Sequence, residues 1–322
     1  MMTNRLAVVT WVCALLLGAA GAGGTAHGVQ PSAELDAPRT EVVTTGGSTT
    51  VLPTFGAASY NVRYKSTPAE TVSDLTKIAS AGADIIGLQE MGTVDKRDAV
   101  RARLLDCSTC QFDAFMTDLP ERNATPILYR STVFRLESTG SRQVSTATYV
   151  GPRGAGPSRV KAKFINYVEL RHRATGQVVY VLNNHTVASV QGSDGGRDPR
   201  HPKRLELYRK HMEGLQSLVR KLSAPGTAVL VTGDFNVNYR KDYIVQDTLF
   251  PYYRMREVGV AANWQALGMP KLGTHPADGN GDRLIDYVSY RENTRVTPES
   301  QRMLDRCASD HRPVLVQFSI GS

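Results

Sequence analysis

Short apolar runs rich in β-branched and aromatic residues recur from residue 54 to the end of the chain, and polar loops separate them. Two segments instead place apolar residues at helical spacing, one after the capping sequence that begins with Thr67 and Pro68, the other at residues 205–222. Strand and helix patterns alternate without a consistent parallel rhythm. The chain is therefore predicted to be a mixed-sheet α/β sandwich rather than a Rossmann fold. The predicted strands cover residues 54–60, 84–89, 127–129, 163–169, 178–182, 228–231, 284–290 and 313–318.

The first 52 residues differ in composition from the rest. A short positive start is followed by the apolar segment Leu6–Leu17, interrupted only by Thr10, and then by small residues up to Ala26. This order is typical of a secretory signal peptide rather than a retained membrane anchor, so we expect residues 1–26 to be removed and the protein to be secreted. Residues 27–52, rich in Ser, Thr, Gly and Ala, are interpreted as a flexible leader. No linker divides residues 53–322, which we expect to form one domain.

The composition restricts the class of protein and of partner. Hydrophobic residues at 41% and charged residues at 21% exclude disordered and collagen-like chains. After residue 30 no apolar run approaches the ~20 residues that a membrane span needs. The formal net charge of +8 favours polyanionic partners such as nucleic acid or phospholipid headgroups, although a secreted protein can also be basic without such a partner.

Three cysteines remain after the expected cleavage: Cys107, Cys110 and Cys307. Cys107 and Cys110 are spaced to close a small disulfide, which would leave Cys307 free. A structural zinc site is the alternative, but it would need a fourth ligand and usually a second close pair. The pattern therefore favours a disulfide.

Polar side chains follow several of the predicted strands. Any one of them is explained more simply as a cap or turn residue, but a whole set limited to Asn, Asp, Glu and His is harder to explain in that way. Oxygen ligands suit Mg²⁺, Mn²⁺ or Ca²⁺, and histidines among carboxylates suit proton transfer near neutral pH. Together they predict metal-assisted attack of water on a phosphate ester. The residues are Asn61, Glu90, His185, Asp234, Asn236, Asp286, Asp310 and His311.

These residues belong to motifs that occur in a fixed order along the chain. The motifs are Ser59-Tyr60-Asn61-Val62, Gly87-Leu88-Gln89-Glu90, Asn183-Asn184-His185, Gly233-Asp234-Phe235-Asn236, Leu284-Ile285-Asp286-Tyr287 and Ser309-Asp310-His311. Their order resembles that of the endonuclease/exonuclease/phosphatase superfamily, which has the deoxyribonuclease-I-like fold. The resemblance covers almost the whole predicted domain. It implies two mixed β-sheets packed face to face with helices on the outer faces, and a metal-dependent phosphoric ester hydrolase.

The resemblance also implies a role for each motif residue. Glu90 would bind the metal, with Asn61 holding or orienting the same ion and Asp310 reaching the metal region. Asp234 and Asn236 would position the attacking water and stabilise the phosphoryl oxygens.

The histidines would handle protons. His311 would do so in hydrolysis, oriented by Asp286, because an aspartate bonded to one ring nitrogen fixes the tautomer. His185 resembles the second histidine of deoxyribonucleases and sphingomyelinases, which contacts the phosphate or protonates the leaving oxygen. Asn183 lies on the same side of its strand and could join it, and Arg63 is a further candidate for substrate binding.

One departure from the pattern concerns His185. Pancreatic-type deoxyribonucleases orient the second histidine with a glutamate near the strand that corresponds here to residues 123–130. That stretch contains no carboxylate, and Glu121 is too early in the chain. The partner that orients His185 therefore stays open.

Two basic loops, at residues 151–163 and 197–204, border the motifs and could bind backbone phosphates, or could simply be solvated. A lipid hydrolase would need an exposed apolar wedge, for which the candidate is Leu249–Tyr253, although core packing explains this run better. We therefore expect a monomeric nuclease acting on DNA or RNA with Mg²⁺, or with Mn²⁺ or Ca²⁺, and without an obligate protein partner. A sphingomyelinase-like phospholipid phosphodiesterase or another phosphatase is the alternative. An inactive binding module of the same fold is disfavoured because the motif set is complete.

Overall fold

The computed structural model describes residues 42–45, 48–153, 156–277 and 281–321. The expected signal peptide and most of the expected leader lie outside these ranges, but residues 42–51 of that leader contain two short antiparallel strands, β1 (Val42–Thr45) and β2 (Ser48–Val51). Among the described residues, no helix has both the length and the apolar character needed to cross a membrane.

The described part of the domain contains two six-stranded sheets, with strands numbered in chain order. The first sheet has the spatial order β17 (Val296–Met303), β18 (Val314–Ile320), β3 (Thr54–Asn61), β4 (Ile85–Gln89), β6 (Ile127–Arg130) and β5 (Phe112–Phe115). The second has the order β13 (Val260–Ala262), β16 (Asp286–Arg291), β12 (Ala228–Asp234), β11 (Val178–His185), β10 (Lys163–His172) and β7 (Phe134–Ser145). Two further hairpins are formed by β8 (Thr148–Arg153) with β9 (Gly156–Val160), and by β14 (His275–Ala277) with β15 (Gly281–Arg283).

Both sheets are mixed. β3 pairs with β4 in parallel, and β11 pairs with β12 in parallel, whereas the other described pairings within the two sheets are antiparallel. Parallel neighbours end at the same edge of a sheet, so each central pair brings two carboxyl-terminal strand ends together. The predicted two-sheet α/β sandwich is confirmed.

Six α-helices lie within the described ranges: α1 (Pro68–Ser80), α2 (Val94–Val100), α3 (Pro202–Leu222), α4 (Tyr239–Val245), α5 (Pro251–Arg256) and α6 (Asn263–Leu267). The predicted capping box of α1 is present, because the Glu70 N–H donates to Thr67 Oγ1 and the Thr67 N–H donates to Glu70 Oε2. α1 ends before Gly82, whose φ of 95° lies in the left-handed region that glycine adopts at little cost.

The core has two layers. The larger cluster of buried apolar residues includes residues from both sheets and from α3, among them Val181, Val231 and Leu215. The smaller one, with Tyr60, Leu75 and Leu88, lies between the first sheet and α1. Burial of these faces provides the main favourable free energy of folding, and it fixes which ends of the strands meet.

Several local expectations are settled by the structure. The basic segment at 151–163 is largely the β8–β9 hairpin rather than a loop. In the apolar run Leu249–Tyr253 the first four residues are buried, Phe250 fully, and Tyr253 alone is exposed, so core packing explains the run better than a membrane wedge. Cys107 and Cys110 form a disulfide and Cys307 is a free thiol, as predicted.

Candidate active site

A cavity of about 1220 Å³ opens where the central strands of both sheets end. The strand register explains which residues reach it. Asn61 at the end of β3 is paired with Gln89, so Glu90 follows at the same edge. In the second sheet, Asp234 at the end of β12 is paired with both His185 and Asp286.

The loop before β18 brings the last motif to this edge. Ser309 Oγ donates to the Asn61 backbone oxygen at 2.7 Å and accepts from the His311 N–H at 3.0 Å. Asp310 and His311 both line the cavity. Motifs separated by up to 250 residues in the chain are thus held together by backbone contacts at one sheet edge.

Asn61 is buried and connects the two sheets beside Glu90, which lines the cavity. Its Nδ2 donates to Glu90 Oε1 at 3.2 Å and to Asp234 Oδ2 at 3.1 Å, while its Oδ1 accepts from the Arg63 N–H at 2.9 Å. Glu90 also accepts a hydrogen bond from the Tyr64 N–H. This buried amide therefore orients the Glu90 carboxylate.

Two of the motif residues adopt left-handed backbone conformations. Glu90 has a φ of 64° and Asn236 a φ of 53°. Asparagine tolerates this region, whereas for glutamate it costs roughly 1–2 kcal/mol. Such strain persists where the surrounding structure enforces it, and at Glu90 the result is a carboxylate turned from the strand end towards Asn61.

His311 is held by a buried carboxylate. Its Nδ1 donates to Asp286 Oδ2 at 2.8 Å, and its Nε2 lies 4.0 Å from Asp234 Oδ2. Burial alone would lower the pKa of His311, but the charges of Asp286, Asp234 and Asp310 outweigh it and raise the pKa to about 9. Asp286 thus fixes the tautomer and leaves Nε2 as the reactive nitrogen.

The surroundings of His185 are different. Asp234, at 3.6 Å from Nε2, is its one carboxylate contact within 4.0 Å in the described ranges. Burial lowers the pKa of His185 well below its usual value, and Lys163 and two other histidines, His311 and His211, lower it further. The neutral ring is therefore favoured, and no glutamate of the pancreatic type orients it in the part of the chain that the structure describes.

Asp234 joins the two histidines. It is 2% exposed, and its Oδ1 accepts from the Asn236 N–H at 2.8 Å. Burial and then the neighbouring Asp286 raise the pKa of Asp234 to about 7, against the opposing charge of His311. A carboxylate so placed can accept a hydrogen bond from a water molecule or bind a cation.

The donor set fits a hard divalent cation. Glu90 and Asp310 present carboxylates to the cavity. Ligand atoms of Asp234, Asp286 and His311 lie within 4.8 Å of one another, and Asp286 Oδ1 is buried without a hydrogen-bond partner among the described residues. Oxygen-rich groups of this kind suit Mg²⁺, Mn²⁺ or Ca²⁺. Glu90 and Asp310 stay the predicted metal ligands, and Asn61 is placed to orient Glu90.

The two expected substrate ligands are placed differently. Arg63 lines the cavity, where its Nε lies 3.4 Å from Asp310 Oδ2. Asn183 points to the side that was expected but lies deeper, between the sheets and not among the residues that line the cavity. Its Nδ2 donates to the Leu88 and Pro126 oxygens, and its Oδ1 accepts from Gln89. All of its polar atoms are used to join the sheets.

The second basic segment is mostly neutralised internally. Arg197 pairs with Asp247 at 2.8 Å and Arg200 with Asp198 at 2.7 Å. Arg204 reaches the cavity and donates to the oxygens of Ala188 and Ser158. Arg159 on β9 and Lys161 directly after β9 are instead exposed cations that line the cavity.

The structure adds cavity residues that the motifs did not identify. Lys163 Nζ donates to the Thr186 oxygen at 3.2 Å, and burial lowers its pKa to about 8 against the opposing charges of two carboxylates. His275 and Arg283, on the β14–β15 hairpin, also line the cavity. Lys163 closes the basic segment 151–163 that the sequence already indicated, whereas His275 carried no sequence signal.

Comparison with known proteins agrees with this geometry. The family model described as "Endonuclease/Exonuclease/phosphatase family" matches residues 58–311. A humanized TDP2 from D. rerio superposes with a TM-score of 0.59 at 16% identity, covering 83% of this chain and 99% of that chain. A Bacteroides thetaiotaomicron mannosyl-6-phosphatase gives 0.56 at 17% identity, covering 83% and 100%.

The human Nocturnin catalytic domain, solved with a bound sulfate anion, gives a TM-score of 0.55 at 15% identity, covering 84% of this chain and 94% of that chain. No significant match to a curated protein is found. At such identities the structural likeness shows the shared fold, whereas the family model matches most of the sequence. The chain belongs to the endonuclease/exonuclease/phosphatase family and is a phosphoester hydrolase.

Proposed function

We propose that this protein is a secreted, divalent-metal-dependent phosphodiesterase that hydrolyses backbone phosphodiesters of DNA or RNA. The observation that carries the proposal is one cavity lined both by carboxylates, Glu90, Asp234 and Asp310, and by the exposed cations Arg159 and Lys161; we call these groups its carboxylate side and its cationic side. A metal ion bound at the carboxylate side would neutralise phosphoryl charge and acidify water.

The residues of the carboxylate side perform the hydrolysis. Asp286 holds His311 through Nδ1, so that His311 handles a proton at Nε2. Asp234, within 4.0 Å of both histidines, orients the attacking water. Asn236 follows Asp234 at the cavity wall and provides an amide for the phosphoryl oxygens.

The cationic side favours a polyanion over a small phosphate ester. A single phosphate is satisfied by the groups around His311, whereas Arg159 on β9 and Lys161 directly after β9 are exposed along the same cavity. Such residues bind adjacent phosphates without reading base sequence. The TDP2 from D. rerio has been solved with a single-stranded DNA product, which supports a nucleic-acid substrate for this fold.

Secretion is supported by two features. Residues 1–26 have the order of a signal peptide, and Cys107 and Cys110 form a disulfide, a bond that persists mainly in oxidising compartments. We further propose that the protein acts as a monomer.

A phospholipid phosphodiesterase is the second candidate, and one surface favours it. Tyr243, Ile244 and Val245 at the end of α4 are consecutive exposed apolar side chains, and Ile244 is 78% exposed. Such a group can insert into a membrane interface. This apolar surface is small, so it supports a lipid substrate less strongly than the cavity cations support a nucleic acid.

A substrate panel tests the proposal. Plasmid DNA, RNA, sphingomyelin vesicles and a phosphomonoester are each incubated with Mg²⁺ and with excess chelator. We expect metal-dependent cleavage of nucleic acid that weakens steeply with salt, because bound cations are released from phosphates. Turnover confined to vesicles, and lost in Ile244→Ser, would favour the lipid substrate. Undiminished turnover in chelator would contradict the metal requirement.

A further inference from the structure

We propose that His275 is a further catalytic residue of this cavity, which donates a hydrogen bond from Nε2–H to a non-bridging oxygen of the phosphate ester. Arg283 is the positioning residue that directs this donor. The inference rests on the phosphodiester chemistry proposed for the same site. Neither residue belongs to one of the sequence motifs.

The backbone beside His275 is anchored to the strand that carries Asp286. Thr274 Oγ1 accepts from the Ile285 N–H at 2.9 Å and from the Asp286 N–H at 3.1 Å. The Arg312 N–H donates to the Thr274 backbone oxygen at 2.6 Å. His275 is therefore held in place by the same framework that holds the Asp286–His311 pair, as a preorganised site requires.

His275 lies at the reacting end of the cavity. Its ring meets that of His311 edge-on, with centroids 4.6 Å apart and planes at 80°. One ligand atom each of His275, Asp310 and His311 lie within 4.8 Å of one another. Two hydrogen bonds of about 2.9 Å can meet at one oxygen when their heavy atoms are separated by such a distance. A phosphoryl oxygen can thus bridge the two imidazoles.

Arg283 decides which nitrogen of His275 carries the proton. Its Nη2 lies 3.1 Å from His275 Nδ1. A guanidinium has only donors, so Nδ1 must accept, and the ring is the neutral tautomer with its proton on Nε2. No hydrogen-bond partner for Nε2 is found among the described residues, so this N–H is free to meet a substrate oxygen.

The same arrangement disfavours His275 as a metal ligand. A zinc site would need a ring nitrogen with a free lone pair. The lone pair of Nδ1 is occupied by Arg283, and Nε2 carries the proton. His275 and His311 are therefore better matched to an anionic oxygen than to a transition metal.

The first test compares His275→Phe, which keeps a ring but removes the donor, with His275→Gln, which keeps an N–H. Turnover of a short DNA oligonucleotide with Mg²⁺ and binding of inorganic phosphate by calorimetry are measured for both. We expect His275→Phe to lower kcat/KM about 10- to 100-fold and to weaken phosphate binding about 10-fold, at unchanged Tm. His275→Gln should retain most of the kcat/KM and of the phosphate affinity. The control is His201→Phe, because His201 is a half-exposed histidine outside the cavity.

The second test concerns Arg283→Met. As a positioning residue, Arg283 should lose its effect once His275 is gone, so the double variant with His275→Phe should cost little more than His275→Phe alone. In ¹⁵N-histidine spectra, Arg283→Met should weaken the Nε2–H tautomer signature of His275. Losses that multiply would show that Arg283 binds the phosphate itself, and would overturn the positioning role.

Failure of this inference and failure of the proposed function are distinguishable. If the unaltered protein cleaves no phosphodiester in Mg²⁺, the proposed function fails. The contact of His275 with phosphate is then still tested by comparing phosphate binding in the unaltered protein and in His275→Phe. Wild-type phosphate binding in His275→Phe would overturn the contact, whether or not turnover is seen.

Discussion

The two histidine-bearing sides of the cavity show how one sheet edge can provide opposite electrostatic environments. Burial lowers the pKa of both His311 and His185. Around His311 the carboxylates, led by Asp286, outweigh burial and raise the pKa to about 9. Around His185 the ammonium of Lys163 acts in the same direction as burial, and the pKa is well below its usual value. The difference comes from the neighbouring charges and not from the ring or its depth.

This contrast suggests a division of labour between the two sides. The carboxylate side can hold a cation and fix a proton at one nitrogen. The cationic side can hold the phosphates of the substrate and needs no charged histidine. Substitutions on the two sides should therefore differ in the kinetic parameter that they change.

The largest effect is expected from Glu90→Gln, which removes the central charge of the carboxylate side. The amide keeps an acceptor for the Tyr64 N–H, so the fold should persist while Mg²⁺-dependent turnover falls about 10³-fold. Turnover against Mg²⁺ concentration and Tm are the measurements, with Glu213→Gln on the surface of α3 as the control. A large loss of Tm in metal-free buffer would instead indicate a structural role.

The next effect concerns the His311–Asp286 pair. His311→Ala should reduce kcat ~10²–10⁴-fold, because general acid–base assistance is lost. Asp286→Asn should cost no more than this, and the double variant little more than His311→Ala, since an unoriented ring is already impaired. Turnover and Tm of the two single variants and the double variant show whether His311 and Asp286 act as one unit. Multiplicative losses in kcat would refute the coupled pair.

A smaller effect is expected on the cationic side. Arg159→Ala and Lys161→Ala should each raise KM for DNA several-fold and reduce the slope of log affinity against log salt concentration by about one. Arg220→Ala, at the end of α3 and outside the cavity, provides the control. An unchanged salt slope in both variants would mean that these cations do not contact phosphates.

The smallest effect on activity is expected at Asp242, a buried carboxyl outside the cavity that should change the pH dependence of folding stability but not turnover. Asp242 is fully buried and accepts from the Tyr252 N–H at 2.8 Å, and burial raises its pKa to about 7 without a histidine beside it. The native state then binds more protons than the unfolded chain between about pH 4 and 7, so stability falls as pH rises through this window. Asp242→Asn should flatten that dependence, which amounts to about 1.4 kcal/mol per pH unit within the window, in urea unfolding at pH 5 and 8. An unchanged difference between the two pH values would contradict this.

Much of the fold was predictable because its elements are local. The capping box and apolar spacing define α1, and continuous apolar runs define β4 and β12. The edge strands β7 and β17 were missed, because most of their residues are polar and solvent-accessible and show no apolar alternation. Edge strands are commonly protected by such composition, which hides them from a pattern search.

The site was predictable where function depends on a strand end. Glu90 and Asp234 follow apolar runs, and parallel pairing brings Glu90 next to Asn61 in the first sheet and Asp234 next to His185 in the second. The burial of Asn183 between the sheets could not be predicted from the sequence. The alternation of side chains along a strand gives the face on which a residue lies, but not its distance from the opposite sheet. His275 was missed because its position depends on tertiary hydrogen bonds to Thr274.

The most direct test of this division of labour is a kinetic comparison of His311→Ala with Lys161→Ala on one DNA substrate in Mg²⁺. We predict that His311→Ala lowers kcat with little change in KM, whereas Lys161→Ala raises KM with little change in kcat. The opposite assignment, or equal changes in both parameters for both variants, would contradict it.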